Sequence, residues 1–480
     1  MSRDLMKPYL TSGRSHPPKA VVMIAAALLT ASGCSVKSTY RSPDVTVPPD
    51  WQTPPAADAQ TPAAPAGPWW NAFGNPELAR LVEVALAGNY DLKGAVSRVQ
   101  QARAQAQIAG AALYPSVAAG ADVGVGNAKG QSGSSATATT PQLAANSTVD
   151  VNANFDLDVS GRNRRLRDAA LARVGATEFA QQDLSLTTAA AVVTTYAQLL
   201  GLTDRLSIAR ESLAAADNVL ELLTVRFNAG AVSGLEVAQQ RTAVAQLRAT
   251  VAALDQSHGQ TSHALDVLLG QAPGARRSLS APSLAVLQAP QIPPGLPSAL
   301  LTRRPDIREA EAELRASSAD IDAARAALLP TVRLTGQGGI ASPELASLLT
   351  GGFYRLAAGL TAPLFDGGRL RGQVALESSR YDELVSRYHA VSLAALREVE
   401  DALVALNDLA NQQAANQEAV TQAQEATRLI DLRFRAGAVD FLNVLESQRT
   451  LLNARDALAQ TQLNRVQATV RLIEALGGSW

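Results

Sequence analysis

Four histidines, one cysteine and one glycine-rich run are the parts of this 480-residue chain with catalytic or ligand-binding potential. His16 lies in a basic N-terminal segment. His258 and His263 are five apart, whereas a metal pair on one helix face sits four apart. The residue 207 positions after His258 is Arg465, so the position tolerates a permanent cation; His389 stands alone. Gly336-Gln337-Gly338-Gly339 lacks the Lys-Ser/Thr of a phosphate loop and lies in a strand-like context. Carboxylates are plentiful but spread along helical faces, with no grouping of nucleophile, base and orienter. No metal, cofactor or catalysis is expected. A formal net charge of −1 offers no footprint for nucleic acid.

Cys34 is different, because it closes a targeting signal. Arg3, Lys7, Arg14 and Lys19, with Asp4, precede an apolar run from Ala20 to Leu29. That run is too short for a bilayer-spanning helix, which needs about 20 residues, and it fits the core of a signal peptide. It ends in Leu28-Leu29-Thr30-Ala31-Ser32-Gly33-Cys34, which resembles a bacterial lipobox with Ala31 where leucine is preferred. The resemblance implies lipidation of Cys34 and cleavage after residue 33. Cleavage removes four basic side chains and one acidic one, taking the net charge from −1 to −4. Ser35, not an aspartate, implies sorting to the outer membrane. The acyl chains, palmitate among them, would be an accessory anchor. As the only cysteine, Cys34 has no internal disulfide partner.

The elements behind these residues repeat. Arg226-Phe227-Asn228-Ala229-Gly230-Ala231-Val232 returns 207 residues later as Arg433-Phe434-Arg435-Ala436-Gly437-Ala438-Val439. Each copy lies between long Ala- and Leu-rich helical patterns. Glycine ends helices in the left-handed conformation at little steric cost, so each phrase marks the tip of a helical hairpin. Gly161-Arg162 and Gly368-Arg369 share the same offset, as do Gly270 and Gly477. Between each Gly-Arg pair and its tip lie about 65 residues of unbroken helical pattern, on the order of 100 Å of helix. Val237, Val244, Val251, His258 and Leu265 recur at sevens after the first tip. Leu445, Leu452, Ala459, Val466 and Ile473 do so after the second. A helical pattern also runs from Glu77 to Leu113, with a stripe at Leu92, Val96, Val99, Ala102, Ala106, Ala109 and Leu113.

Before each long helix the period changes to two. Val117–Gly126 is a mix of Val, Ala and Gly, and Asn127–Asn146 reads as a polar loop. Thr148–Asp158 then alternates strictly, with Val149, Val151, Ala153, Phe155 and Leu157 against Asp150, Asn152, Asn154, Asp156 and Asp158. Such a strand suits a wall between lipid and water. Thr331–Ile340 and Phe353–Phe365 form the second pair. Each chain then supplies four strands. Four cannot close a membrane barrel, and open edges in lipid leave backbone groups unsatisfied, so several copies must share one barrel.

The expected organisation is a signal peptide at 1–33 and an extended tether at 34–75. Repeat one covers 76–270, with a β-hairpin at 115–160 and a tip at 226–235. A Pro-rich linker follows at 271–297. Repeat two covers 298–480, with a hairpin at 330–366 and a tip at 433–442.

Several phrases resemble the outer membrane factors of tripartite efflux and secretion systems, the TolC- and OprM-like channels, and in particular the NodT-type efflux lipoproteins. They are Trp69-Trp70 with Phe73-Gly74 and Pro76, Leu301-Thr302-Arg303-Arg304-Pro305-Asp306-Ile307, Ala362-Pro363-Leu364-Phe365-Asp366-Gly367-Gly368-Arg369, both tips, and Ala475-Leu476-Gly477-Gly478. Val159-Ser160 departs from the pattern, which has phenylalanine before Gly161. The resemblance implies a mainly α fold with membrane β: two repeats giving a long coiled-coil α-helical barrel plus a trimeric 12-stranded transmembrane β-barrel. It implies an outer-membrane homotrimer, lipid-anchored and reaching into the periplasm, that meets an adaptor (membrane fusion) protein and an inner-membrane pump. The role implied is a passive exit duct for drugs or other small toxic molecules, opened by the adaptor. Asn443 and Glu446, with Asp440, fall near the family's acidic constriction. Gly230, Val232, Leu235, Gly437, Val439 and Leu442 are the expected adaptor contacts. A type I protein secretion channel and a periplasmic coiled-coil scaffold are the alternatives; the strand Thr148–Asp158 argues against the scaffold. No substrate is legible in the chain.

Overall fold

The computed structural model describes residues 40–53, 67–127, 143–275, 282–342 and 351–479. Cys34, the signal segment and much of the tether lie outside them. Helices α1 (Pro76–Gly88) and α2 (Tyr90–Ala111) lead into strands β1 (Ser116–Asn127) and β2 (Leu143–Leu157). Helix α3 (Arg162–Asn228) turns at the first tip into α4 (Gly234–Leu268). The order then repeats as α5 (Pro305–Ala326), β3 (Thr331–Ser342), β4 (Gly352–Thr361), α6 (Arg369–Arg435) and α7 (Phe441–Ala475). Short helical turns at Trp69–Phe73, Leu284–Val286, Pro297–Ala299 and Leu300–Arg303 fill the connections. Helices α3 and α6 are 67 residues each and α4 and α7 are 35 each.

Several expectations need correction, among them the polar loop read at Asn127–Asn146, whose last four residues, Leu143–Asn146, belong to β2. The helical pattern of Glu77–Leu113 breaks at Asn89, which is extended (ψ 131) and caps α2 by accepting from the amides of Asp91 and Leu92. Val96 is exposed and Ala95 takes its place in the buried stripe, because steps of three and four from Leu92 to Val99 pass through either position. The last strand stops at Thr361, since Pro363 cannot donate to a ladder and Ala362–Phe365 leave the sheet.

The chain divides into two compact units. The first (105–171 and 315–381, with residues 40–41) holds the sheet, ordered β1-β2-β3-β4 with every pair antiparallel. Its register aligns side chains into two faces. One carries Val117, Val123, Val149, Val151, Phe155, Leu157, Val332, Leu334, Ile340, Tyr354, Leu356 and Leu360; Tyr354 and Leu356 are 86% and 82% exposed. The other carries Asp122, Asp150, Asn152, Asn154, Asp156, Arg333, Thr335, Gln337 and Arg355.

The second unit (42–104, 172–314, 382–480) is helical. Its core gathers Trp69 and Phe73 in edge-on contact, Leu78, Val82, Val192, Val193, Tyr196, Leu199 and Leu200. The Tyr196 hydroxyl donates to Glu77 at 3.0 Å, and burial with that carboxylate pushes its pKa up. An 18-residue stretch of α3 is apolar enough to pass for a membrane span, but 61% of it is buried in the fold, as for a core helix. The heptad positions Val237, Val244 and Leu265 of α4, and Ala459, Val466 and Ile473 of α7, are all buried.

Candidate functional site: a two-faced sheet and a paired tip

The sheet's polar face is built around Asp150. Its two register partners are Gly120 and Gly339, and a methyl group on Gly339 would lie 2.2 Å from the Val149 carbonyl. The glycines make room for a carboxylate that is only 7% exposed and accepts from Gln337 Nε2 at 3.1 Å. Asp156 and Arg333, also register partners, form an ion pair at 2.7 Å. This face presents charges and amides to water, while the opposite face exposes hydrocarbon. β1 and β4 each have one edge without a partner strand among the described residues. In a bilayer those edges need further strands, and other copies of the chain supply them.

The tips meet in one hydrophobic cluster. Leu223 and Val237 from the first pack with Phe434, Phe441 and Val444 from the second. The rings of Phe434 and Phe441 are 6.0 Å apart, and the Arg226 guanidinium lies 5.3 Å from the Phe434 ring centre. Each tip closes with the same paired bonds: Ala231 N to Arg226 O and Gly230 N to Phe227 O, matched by Ala438 N to Arg433 O and Gly437 N to Phe434 O. Gly230 and Gly437 sit at φ 71 and 72, where a side chain is strained.

Past the glycines the tips diverge. Ser233 caps α4 in a capping box with Glu236, whose carboxyl is held below its usual range by the Ser233 hydroxyl. Asp440 occupies the equivalent place before α7, yet its carboxylate makes no cap bond. Asn443 is exposed, with its backbone N–H donating to the Asp440 carbonyl at 3.1 Å. Glu446 is exposed and paired with Arg449 at 2.9 Å. Leu235 and Leu442 are exposed; Val232 and Val439 instead pack half-buried against the tip cluster. Leu442, Glu446 and Arg449 border a cavity of about 600 Å³, with Glu211, Gln239 and Gln246 of the first repeat opposite. Sequence reasoning missed Arg449, although an arginine three residues after a glutamate on a helix signals a pair.

It also missed the charge cluster where the helices gather. Arg304 grips Asp306 with two bonds (3.0 and 2.7 Å), Glu398 at 2.8 Å and the Ala475 carbonyl at 2.9 Å. Asp183, Asp401, Arg471 and Glu474 line the adjoining cavity of about 480 Å³. Burial, then the neighbouring Asp306, raises the Asp183 pKa; burial, then Asp183, raises that of Glu474. In repeat one Asn89 holds the Leu268 carbonyl at 3.1 Å. Leu268 and Ala475 are 207 apart, so one clasp is built twice with different side chains. Among the described residues no group of three His, Cys, Asp or Glu side chains is placed to hold a metal ion.

A sheet with one lipid face and one wet face, short of closure and joined to tip-bearing helical hairpins, defines a membrane channel completed by further copies. The outer membrane efflux protein family model matches residues 81–271 and 296–478. The chain is 40% identical over 440 residues to the pyoverdine export outer membrane protein OpmQ of Pseudomonas putida, covering 90% of this chain and 92% of that protein. It is 33% identical to outer membrane protein OprJ of Pseudomonas aeruginosa, over 94% of each. The structure of the outer-membrane channel OprN superposes with a TM-score of 0.85 at 28% identity, covering 93% of this chain and 99% of that one. The chain belongs to the outer membrane efflux protein family. It is an outer-membrane efflux channel, a homotrimer in which four strands from each chain make a 12-stranded barrel continued by helices, and it works with a periplasmic adaptor and an inner-membrane pump.

Proposed function

We propose that the channel is a passive duct, without catalysis, whose gate lies at the tips and whose cargo includes small polar chelators of the siderophore class. The uninterrupted apolar face of the sheet against its carboxylate- and amide-lined face carries the duct reading: it gives a barrel wall with a hydrated interior. The cargo follows from likeness to the proteins named for pyoverdine export, at 40% and 37% identity. The duct itself passes what the pump delivers. Asp440, Asn443 and Glu446 form the constriction from three copies. Its charge is softer than a bare carboxylate ring, because Arg449 offsets Glu446. Leu235 and Leu442, exposed at the tips and the latter bordering the cavity, are the strongest adaptor contacts; Gly230 and Gly437 shape the turns, and Val232 and Val439 support them. Cys34 carries the lipid.

Deletion of the gene should lower the siderophore released into iron-poor medium, with restoration by the wild-type gene; unchanged release refutes the cargo. In planar bilayers Glu446→Ala should shift preference toward anions and raise leak conductance. Unaltered selectivity and closure remove Glu446 from the gate. Labelled palmitate should enter the wild-type protein and not Cys34→Ala, and label in the variant overturns the anchor.

A further inference from the structure

The two long helices begin with cations in the wrong place. Arg162 and Arg164 open α3, and Arg369 and Arg371 open α6, each pair 207 residues apart. The first turn of a helix carries the positive end of its dipole, so arginine there is disfavoured and carboxylates are favoured. The repeat keeps the arginines nonetheless, so something outside the helix rewards them. All four are exposed. Arg164 is tied to Asp158 at 3.2 Å. Asp158 and Asp366 spend their oxygens on backbone amides of the helix starts: Asn163 and Arg164 for the first, Gly368 and Leu370 for the second. Among the described residues no carboxylate lies in ion-pair range of Arg162, Arg369 or Arg371.

Their position on the sheet identifies what they meet. Leu157 pairs with Val332 and Val332 with Leu360, so β2 and β4 finish at the same end of the sheet. Both arginine pairs therefore stand at one end of the lipid-facing wall. Shortly before Arg369 the chain, having left the sheet after Thr361, exposes Leu364 and Phe365, 96% and 93% free. Hydrocarbon followed within a few residues by unpaired guanidinium is the profile of a bilayer interface. Apolar side chains enter the acyl region there and arginine forks meet phosphate. Since the helices run into the periplasm, this is the periplasmic, phospholipid leaflet.

We propose that Arg162, Arg369 and Arg371, with Leu364 and Phe365 as the apolar floor, form a binding surface for anionic phospholipid headgroups. Three copies make it a collar around the barrel where strands give way to helices. The occupant is lipid rather than a neighbouring chain, because the surface lies at the end of the lipid-facing wall and its cations have no carboxylate within ion-pair range among the described residues. Its charge also complements phosphate esters.

The test uses the full-length detergent-solubilised trimer in non-denaturing mass spectrometry, with phosphatidylglycerol, phosphatidylcholine and inorganic phosphate as separate probes. The wild type should retain phosphatidylglycerol over phosphatidylcholine by about fivefold or more, the value of one basic side chain at an anionic surface. The triple variant Arg162→Gln/Arg369→Gln/Arg371→Gln should bind both lipids equally. The corresponding Arg→Lys triple should keep most of the preference, and Arg371→Gln alone should lower it. Phe365→Ser should reduce retention of both lipids without changing their ratio. Equal binding by the wild type, or an unchanged preference in the glutamine variants, overturns the proposal. So does displacement of phosphatidylglycerol by an equal concentration of inorganic phosphate, which marks a free-anion site. Loss of heat-resistant trimers in the glutamine triple with retention in the lysine triple also overturns it, by assigning the arginines to contacts between copies.

Discussion

Replacing Arg304 with alanine should destabilise the channel more than any single change at its counterpart in the first repeat. The guanidinium makes four bonds, to Asp306 twice, Glu398 and the Ala475 carbonyl. Removing one partner of a buried pair costs about 3–5 kcal/mol, mostly the desolvation of the charge left behind. Here the orphans are not fully dry: the side chains of Asp306 and Glu398 are 28% and 44% exposed, and water recovers part of the loss. That brings the expectation to about 2–4 kcal/mol. Asn89→Ala removes one bond to Leu268 and a helix cap, worth about 1–2 kcal/mol. Outer-membrane trimers unfold irreversibly, so the comparison belongs in rates. At a fixed elevated temperature, the Arg304→Ala trimer should dissociate about 30-fold or more faster than wild type, and Asn89→Ala about fivefold or more. Loss of the trimer band on unboiled gels reads both. Arg304→Lys, which keeps the charge without the fork, should fall between Arg304→Ala and wild type. If Arg304→Ala decays no faster than Asn89→Ala, the guanidinium is not the second clasp.

Acid should strengthen this same region. Burial raises the carboxyls of Asp183 and Glu474 above 3.8 and 4.5 in the folded chain. The folded state then binds protons that the unfolded state has released, so their contribution is full below those ordinary values and is lost as pH rises through the raised ones. Trimers should dissociate more slowly as pH is lowered from 7 toward the ordinary carboxylate range, and Asp183→Asn should flatten the difference; an unchanged slope counts against Asp183. Gly270→Ala and Gly230→Ala share φ 71 but not their surroundings: the new methyl at 270 meets the Gly88 carbonyl at 2.4 Å, whereas nothing lies within 4 Å at 230. Gly230→Ala should cost about 1 kcal/mol and still assemble, while Gly270→Ala should abolish trimers, and equal yields contradict the packing account. Arg449→Ala removes the cation beside Glu446 and should increase cation preference in planar bilayers, opposite in sign to Glu446→Ala; the same sign for both removes the pair from the conduction path.

Backbone-level features were legible because single residues dictate them. Glycine at the helix ends and the alternation read over Thr148–Asp158 became the expected turns and a strand that runs to Leu157, while six of the ten sevenfold positions became a buried seam and Val251, His258, Leu445 and Leu452 stayed half-buried. What was not legible depended on partners far along the chain. The break at Asn89 lies where Gly270, about 180 residues away in sequence, packs closely against Gly88. The room for Asp150 is set by Gly120 and Gly339, whose alignment on either side of it only the register reveals. Arg304 looked like part of a phrase; that it binds the end of α7 is a tertiary fact.

Those partners also show how one unit, used twice, yields unlike halves. The backbone bonds at the two tips match one for one, and so do the clasps at Leu268 and Ala475. The side chains do not. Ser233 and Glu236 satisfy each other in the first tip, which closes that turn locally and ties its carboxylate to the helix start. Asp440 has no such partner at its cap, and it precedes Asn443 and Glu446 on the same helix. In a trimer, three tips with a tied carboxylate therefore alternate with three whose Asp440 makes no cap bond. A partner that engages the ring must match a threefold pattern of charge on a nearly sixfold backbone. Opening the proposed gate then amounts to offering Asp440 and Glu446 counter-charges outside the constriction. Arg449 already offers one to Glu446, so Asp440 is the group with most to gain.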